Sequence, residues 1–318
     1  MHHRSLHSVR PDAFHHAWDN GLEPALEVGT GEVVGFTVRD ASDEQIDAGS
    51  DADAVARLDF AHVNPVSGPV FVRGARPGDA LVVEILDCSP RDWGWTALIP
   101  GFGLLADEFP EPWLRISRVE AERGRVVFGE GIELPYEPFP GTIGVAPPEP
   151  GSHSIVPPRR WGGNIDVKHL RPGSTLYLPV GVEGALFSVG DTHAAMGDGE
   201  VCGTAVEVAM ELTLRLSVRR DLRLPAPQLD VPRGELARTE SSSYHVCTGV
   251  GPDLMEAARD ATRAAIAYLG DRHGLERQEA YAVVSVAGDL RIHELVDQPN
   301  WVVGAFLPES IFDDEGGF

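Results

Sequence analysis

The stretch VEVAMELTLRLSVRR (206–220) decides how the rest of the chain is read. Val206, Val208, Met210, Leu212, Leu214, Leu216 and Val218 take every even position, and Glu207, Ala209, Glu211, Thr213, Arg215 and Ser217 the odd ones. Successive side chains of a strand leave opposite faces, so this period of two predicts a long strand over 206–218 with one face buried and the other mostly wet. Such alternation suits an antiparallel sheet in a sandwich-like or barrel-like body, because strands of a parallel core are apolar on both faces. Around it lie EVVGFTV (32–38), PVFVRG (69–74), ALVVEIL (80–86), GRVVFG (124–129) and STLYLPVG (174–181), short β-branched runs set between glycine- and proline-bearing turns.

The last third changes period. In PDLMEAARDATRAAIAYL (252–269) the apolar positions Leu254, Ala257, Ala258, Ala261, Ala264, Ala265, Tyr268 and Leu269 make one face of a helix. Pro252 is tolerable in its first turn and Gly270 stands at its end. A second, shorter helix is expected over 276–285, after Gly274. The predicted fold class is therefore α+β, a β-rich antiparallel sandwich-like body with helices late in the chain. Residues 1–245 form the body that carries the candidate site, and 246–318 a helix-containing part packed on the same unit. The proline-rich segment 135–158 has two readings, a linker or an ordered excursion over a site.

With 318 residues and 42% hydrophobic content the chain can bury a substantial core. Its 26 basic and 49 acidic residues leave a formal charge of −23. That balance argues against nucleic acid and against an anionic membrane surface. A neutral or cationic small substrate, or bound metal ions, fits it. The three cysteines, Cys88, Cys202 and Cys247, form neither a disulfide framework nor a CxxC knuckle, which points to a reducing cytoplasm. No apolar run is long enough to span a membrane, and the histidine-rich start MHHRSLHSVRPDAFHHAW lacks the apolar core of a secretory signal. Terminal histidines of this kind are ordinarily solvated.

Four segments carry groups suited to chemistry. In GDTHAAMGDGEVCGTAVE (190–207) the glycines predict a shaped loop that aims Asp191, His193, Asp198 and Glu200 at one point. Asp191 and His193, two apart, leave one face of an extended backbone, and oxygen and imidazole ligands suit hard and borderline cations. A polar turn between strands is the plainer alternative. In RRWGGNIDVKHL (159–170), Asn164, Asp166 and Lys168 share a strand face beside Gly162 and Gly163; the alternative is a glycine turn with a surface ion pair. His62 stands alone before the Asn-Pro turn of DFAHVNPVSGPVFVRGARPGD (59–79), where a structural or solvated histidine is commoner than a ligand. The loop PGFGLLADEFPEPWL (100–114) is suited to forming the apolar wall of a small pocket. Neither a GxSxG elbow nor a phosphate-binding glycine loop is present.

Together, HVNPVSGPVFVRGARPGD (62–79), PPRRWGGNIDVKHLRPGSTLYLPV (157–180), GDTHAAMGDGEVCGTAVE (190–207), EAYAVVSVAGDLRIHELVDQPN (279–300) and LPESIF (307–312) resemble the acetamidase/formamidase family, in its order and over most of the chain. The resemblance implies a cytoplasmic amidohydrolase that converts short amides such as formamide or acetamide to ammonia and a carboxylic acid. It also implies a homodimer or higher homo-oligomer with a divalent metal in the site, zinc first and calcium or manganese as alternatives. A metal role is carried over onto Asp166, Asp191, His193 and His62. Glu200, Asp191 and Asn164 are the expected catalytic residues, with Glu200 as general base and Asn164 bonding the substrate. A second mechanism would use Cys202 as nucleophile with Glu200 and Lys168 as base and acid, the arrangement of an unrelated amidase family. Trp161 and His169 depart from the expected pattern, which leaves the acyl group open. A non-catalytic metal- or carbohydrate-binding β-sandwich is the alternative from another class.

Overall fold

The computed structural model describes residues 7–231, 243–295 and 298–312, and places the alternating stretch, as the strand Met210–Arg219, inside a six-stranded sheet. It pairs antiparallel with Glu32–Val38 on one side and Ala80–Pro90 on the other. Thr175–Pro179 and Gln228–Asp230 extend the sheet beyond Ala80–Pro90, and His7–Ser8 joins Glu32–Val38 in parallel. Leu212, Leu214 and Leu216 are buried and Glu211 is exposed, as the alternation predicts.

The strand starts at Met210 rather than Val206, and the difference matters for the site. Residues 206–209 leave the sheet and run between two other strands. Glu207 exchanges both backbone hydrogen bonds with Trp95 (2.8 and 2.9 Å), and the Val208 N–H donates to the Thr192 carbonyl at 2.9 Å. Flanked on both sides, this piece is buried on both faces, and Glu207 is only 2% exposed. Its place on the odd face predicted a wet side chain. That expectation is overturned because the neighbours cover the face.

A second sheet is built around Phe139–Val145 and Phe187–His193, continued by Val66–Val72 and Phe14–His15 on one side and Gly162–Asn164 on the other. Both central strands are buried along their whole length, and Phe36 of the first sheet meets Phe187 edge-on at 5.8 Å. The segment 135–158 is thus an ordered part of the body, since its middle is a central strand. A third sheet of Trp93–Leu98, Trp113–Glu120, Arg125–Gly129 and Ile132–Pro135 lies beyond the 206–209 crossing.

The later part holds a three-stranded sheet of Tyr244–Gly251, Trp301–Pro308 and Asp289–Glu294 with two helices. The first helix is Leu254–His273. Asp253 caps it by accepting from the Glu256 N–H at 3.0 Å, so Pro252 precedes the helix rather than lying in its first turn. It runs through Gly270 and stops at Gly274, which takes the left-handed conformation (φ 69°) of a helix C-terminus. The second is Arg277–Ala287, buried from Ala280 to Ala287. A helix apolar all round belongs in an interior. One hydrophobic core, from Val9 to Ile311, includes side chains from the body and from the helical part alike.

Truncating the buried face of the central strand should cost far more than truncating its wet face. Leu214→Ala is expected to lose about 2–5 kcal/mol and exposed Glu211→Ala to stay within about 0.5 kcal/mol. Urea unfolding of the two variants beside the parent checks this.

Candidate active site

Asp191 and His193 lie at the end of the strand Phe187–His193, and not in a loop as the glycines suggested; the loop begins beyond them. Asp191 interrupts the extended run with a left-handed backbone (φ 50°), and its Oδ1 lies 3.3 Å from His193 Nε2. Three other residues beside it share that unusual conformation: Asn64 (φ 49°), Asp166 (φ 43°) and Glu200 (φ 41°). Asn and Asp tolerate it, whereas for glutamate it is costly, on the order of 1–3 kcal/mol. Such strain persists only where surrounding contacts over-determine it.

Those contacts come from the second sheet and from the helical part. Asn64 Nδ2 donates to Asp191 Oδ2 at 3.2 Å. The Thr142 hydroxyl lies between Asp191 Oδ2 (3.1 Å) and the Asn164 side-chain amide (2.6 Å), so it ties Asn164 to the same carboxylate. Gly141 has no alternative residue: a Cβ there would stand 2.5 Å from Asp166 Oδ1 and 2.6 Å from His193 Cε1. Phe139 supports the imidazole edge-on at 5.0 Å. The loop bearing Glu200 is held from behind by the helical part. The Gly197 N–H donates to Ser285 O (2.8 Å), the Cys202 N–H to Ser285 Oγ (3.1 Å), and the Tyr281 hydroxyl to Val201 O. A side chain at Gly197 would overlap the carbonyl of Gly288.

Ligating atoms of Asp166, Asp191 and His193 lie within 4.8 Å of one another, and so do those of His193, Glu200 and Glu207. Glu207 is the residue that sequence reasoning missed. Its Oε2 is 3.2 Å from His193 Nε2. The signal available was a lone glutamate among the apolar positions at the start of the alternating run, but periodicity assigned it to water.

Four carboxyls and one imidazole in a buried volume perturb one another strongly. Burial and the Asp191 charge push the Asp166 carboxyl up to about 7. Burial drives Glu207 up to about 7 as well. Burial and the Asp166 charge drive Glu200 well above the ordinary carboxylate range. Burial works against both members of the Asp191–His193 pair, but their mutual attraction wins: Asp191 is lowered and His193, facing Glu207 too, is raised well above 6.5. Asp166 Oδ1 and His193 Nδ1 are buried without hydrogen-bond partners, and Glu207 Oε2 meets the His193 imidazole. Buried polar atoms are ordinarily satisfied, and an oxygen-rich set with one imidazole is the donor set of a divalent cation.

Other expected residues stand elsewhere. His62 lies in the 3-10 turn Phe60–His62 with its side chain 59% exposed, its Nδ1 2.8 Å from Asp59; the structure does not bring it to the cluster. The Cys202 thiol is buried, contacts Ala97 O and Thr204 O at 3.6 and 3.5 Å, and is pushed up to about 11 by burial, the opposite of an activated nucleophile. Lys168 is neither on a strand face nor in a surface pair: it is buried, its Nζ 2.5 Å from Asp289 and 3.6 Å from Asp198. In the N-terminal segment His15 bonds Ser188 Oγ at 2.8 Å behind the site strand, while His2 and His3 lie outside the described residues.

Above the cluster opens a cavity of about 230 Å³ whose lining includes Asn164, Asp191, Glu200, Thr204 and Glu207 together with apolar side chains. Phe102, from the loop expected to wall a pocket, is one of these.

Known proteins match this chain in sequence and fold. The formamidase of Methylophilus methylotrophus is 28% identical over 375 residues, covering 94% of this chain and 89% of that protein. The acetamidase of Mycolicibacterium smegmatis is 28% identical over 256 residues, covering 61% of this chain and 63% of that protein. A gamma lactamase from Delftia acidovorans superposes with a TM-score of 0.89 at 26% identity, covering 97% of this chain and 94% of that one. An acetamidase from Bacillus halodurans superposes with a TM-score of 0.68 at 33% identity, over 95% and 97% of the two chains. The model of the Acetamidase/Formamidase family matches residues 3–155 and 149–314, and with nearly the whole length accounted for, this chain belongs to that family.

Proposed function

We propose that the chain hydrolyses a short-chain amide to ammonia and a carboxylic acid at the carboxylate–histidine cluster, with Asp166, Asp191 and His193 holding a divalent ion, zinc in the first place. The observation that carries this is the pair of buried, unpartnered atoms Asp166 Oδ1 and His193 Nδ1 beside a cavity. A purely structural cluster would satisfy them internally, and a surface-binding sandwich needs no cavity at its ligands. When bound, such an ion polarises a carbonyl and lowers the pKa of water to about 7.

The chain's own residues supply the rest. Glu200 lines the cavity and takes the proton of the attacking water, then passes it to the leaving nitrogen, for which a raised pKa is the useful direction. Asn164, fixed through Thr142, bonds the amide. Asp191 orients His193, and Glu207 balances the imidazole from its other side. The higher TM-score of the gamma lactamase match favours one second reading, a cyclic amide, in which ring opening leaves the nitrogen as an amine on the same product molecule and no ammonia forms. The exposed apolar side chains of Val250, Ile292 and Leu295 support a homo-oligomer, and three free cysteines support a cytoplasmic location. Among the described residues no helix is long and apolar enough to cross a membrane.

Ammonia release from formamide, acetamide and propionamide is expected to vanish on chelation and return with added zinc, with manganese and calcium as comparisons. Activity that survives complete metal removal sinks the metal assignment. Glu200→Gln should lower kcat by about 10²- to 10⁴-fold in a protein that still folds. Cys202→Ser should retain most of the activity, and its loss in a folded variant would transfer the nucleophile to the thiol.

A further inference from the structure

The cavity is larger and more apolar than acetamide requires. Its volume is about 230 Å³, whereas an apolar cavity of roughly 150 Å³ already accepts benzene. Leu58, Phe60, Val63, Ile99, Phe102 and Val156 line it beside the polar cluster. They come from three separate stretches: the turn around the 3-10 helix Phe60–His62, the loop after the strand Trp93–Leu98, and the proline-rich segment. Phe60 and Phe102 stack at 5.3 Å with ring planes 9° apart, yet remain 48% and 42% exposed. Two aromatic rings left partly in water at the edge of a reactive site are a surface waiting for an apolar group. Formamide has no carbon to place there.

Resting on the reading of the preceding subsection, we propose that the preferred substrate is a primary carboxamide whose acyl group is apolar and about the size of a benzene ring or a five-carbon chain. The amide nitrogen and carbonyl lie against Asn164 and Glu200, and the acyl group fills the space between Leu58, Ile99 and the Phe60–Phe102 pair. The reaction balances without a further reactant. The oxygen of water bonds to the carbonyl carbon, the C–N bond breaks, and the nitrogen leaves as ammonia with the proton that Glu200 carries. The product is the corresponding carboxylic acid, whose proton passes to ammonia to give carboxylate and ammonium.

The test is kcat/KM for ammonia release across acetamide, propionamide, butyramide, hexanamide and phenylacetamide with the metal-loaded protein. Burying one methylene is worth about fourfold, so hexanamide should exceed acetamide by on the order of a hundredfold, and phenylacetamide should lie near it. A series that is flat or falls beyond propionamide, with acetamide still hydrolysed, overturns this proposal and leaves the amidase intact. Ammonia from none of them overturns the amidase reading and this proposal with it. In Phe102→Ala and Phe60→Ala the ratio of hexanamide to acetamide kcat/KM should fall about tenfold. An unchanged ratio in both variants overturns the assignment of the acyl group to this wall.

Discussion

His193 sits between two carboxylates, 3.3 Å from Asp191 and 3.2 Å from Glu207, and is itself fully buried. Charges buried at that depth are costly unless each is paired or ligates a metal. The imidazole is therefore what allows Asp191 and Glu207 to be placed together, and the three bring two separate pieces of chain to one point. Asp191 and His193 end a strand of the second sheet, while Glu207 belongs to the crossing that runs between the third sheet and the second before entering the first. The path of residues 206–209, which the alternating strand alone would not take, serves this meeting.

The helical part is a working component of the site. Ser285, Tyr281 and Gly288 contact the loop 197–203 directly, and Asp289 receives both Lys168 and the Asp198 backbone N–H. Two stretches that the sequence places far apart, 166–169 and 197–203, are thereby fixed against the same buried carboxylate. Glu200 keeps its left-handed backbone in that loop because the residues on either side of it are held. Rigid support of this kind is how a scaffold keeps reacting groups to the tolerance catalysis requires.

The cavity divides chemically in the same way. Of the groups that would bond an amide, Asn164 ends a strand and Glu200 sits in a loop pinned to the helical part, whereas the apolar wall comes from turns and loops, including a stacked aromatic pair at the surface. The pinned polar groups belong to the reaction and the exposed apolar loops to what fits beside it, so acyl selectivity can change with those loops while the cluster stays as it is.

Much of this was legible in the chain. Strands such as Glu32–Val38 and the helices near 254–273 and 277–287 follow from periodicity and caps, because those are local properties of backbone and side-chain spacing. Asp166, Asp191, His193 and Glu200 could be nominated because their residue types and neighbouring glycines are written side by side. The burial of Glu207, the outward turn of His62 and the pairing of Lys168 with Asp289 could not be nominated in that way. Each depends on which distant strand or helix covers a given face, and a period of two records only that a residue has a face. The sequence by itself determined the elements, the acidic character and the candidate chemistry. The tertiary structure decided which of those groups share one water-poor volume, since burial and electrostatic coupling arise only when distant segments pack.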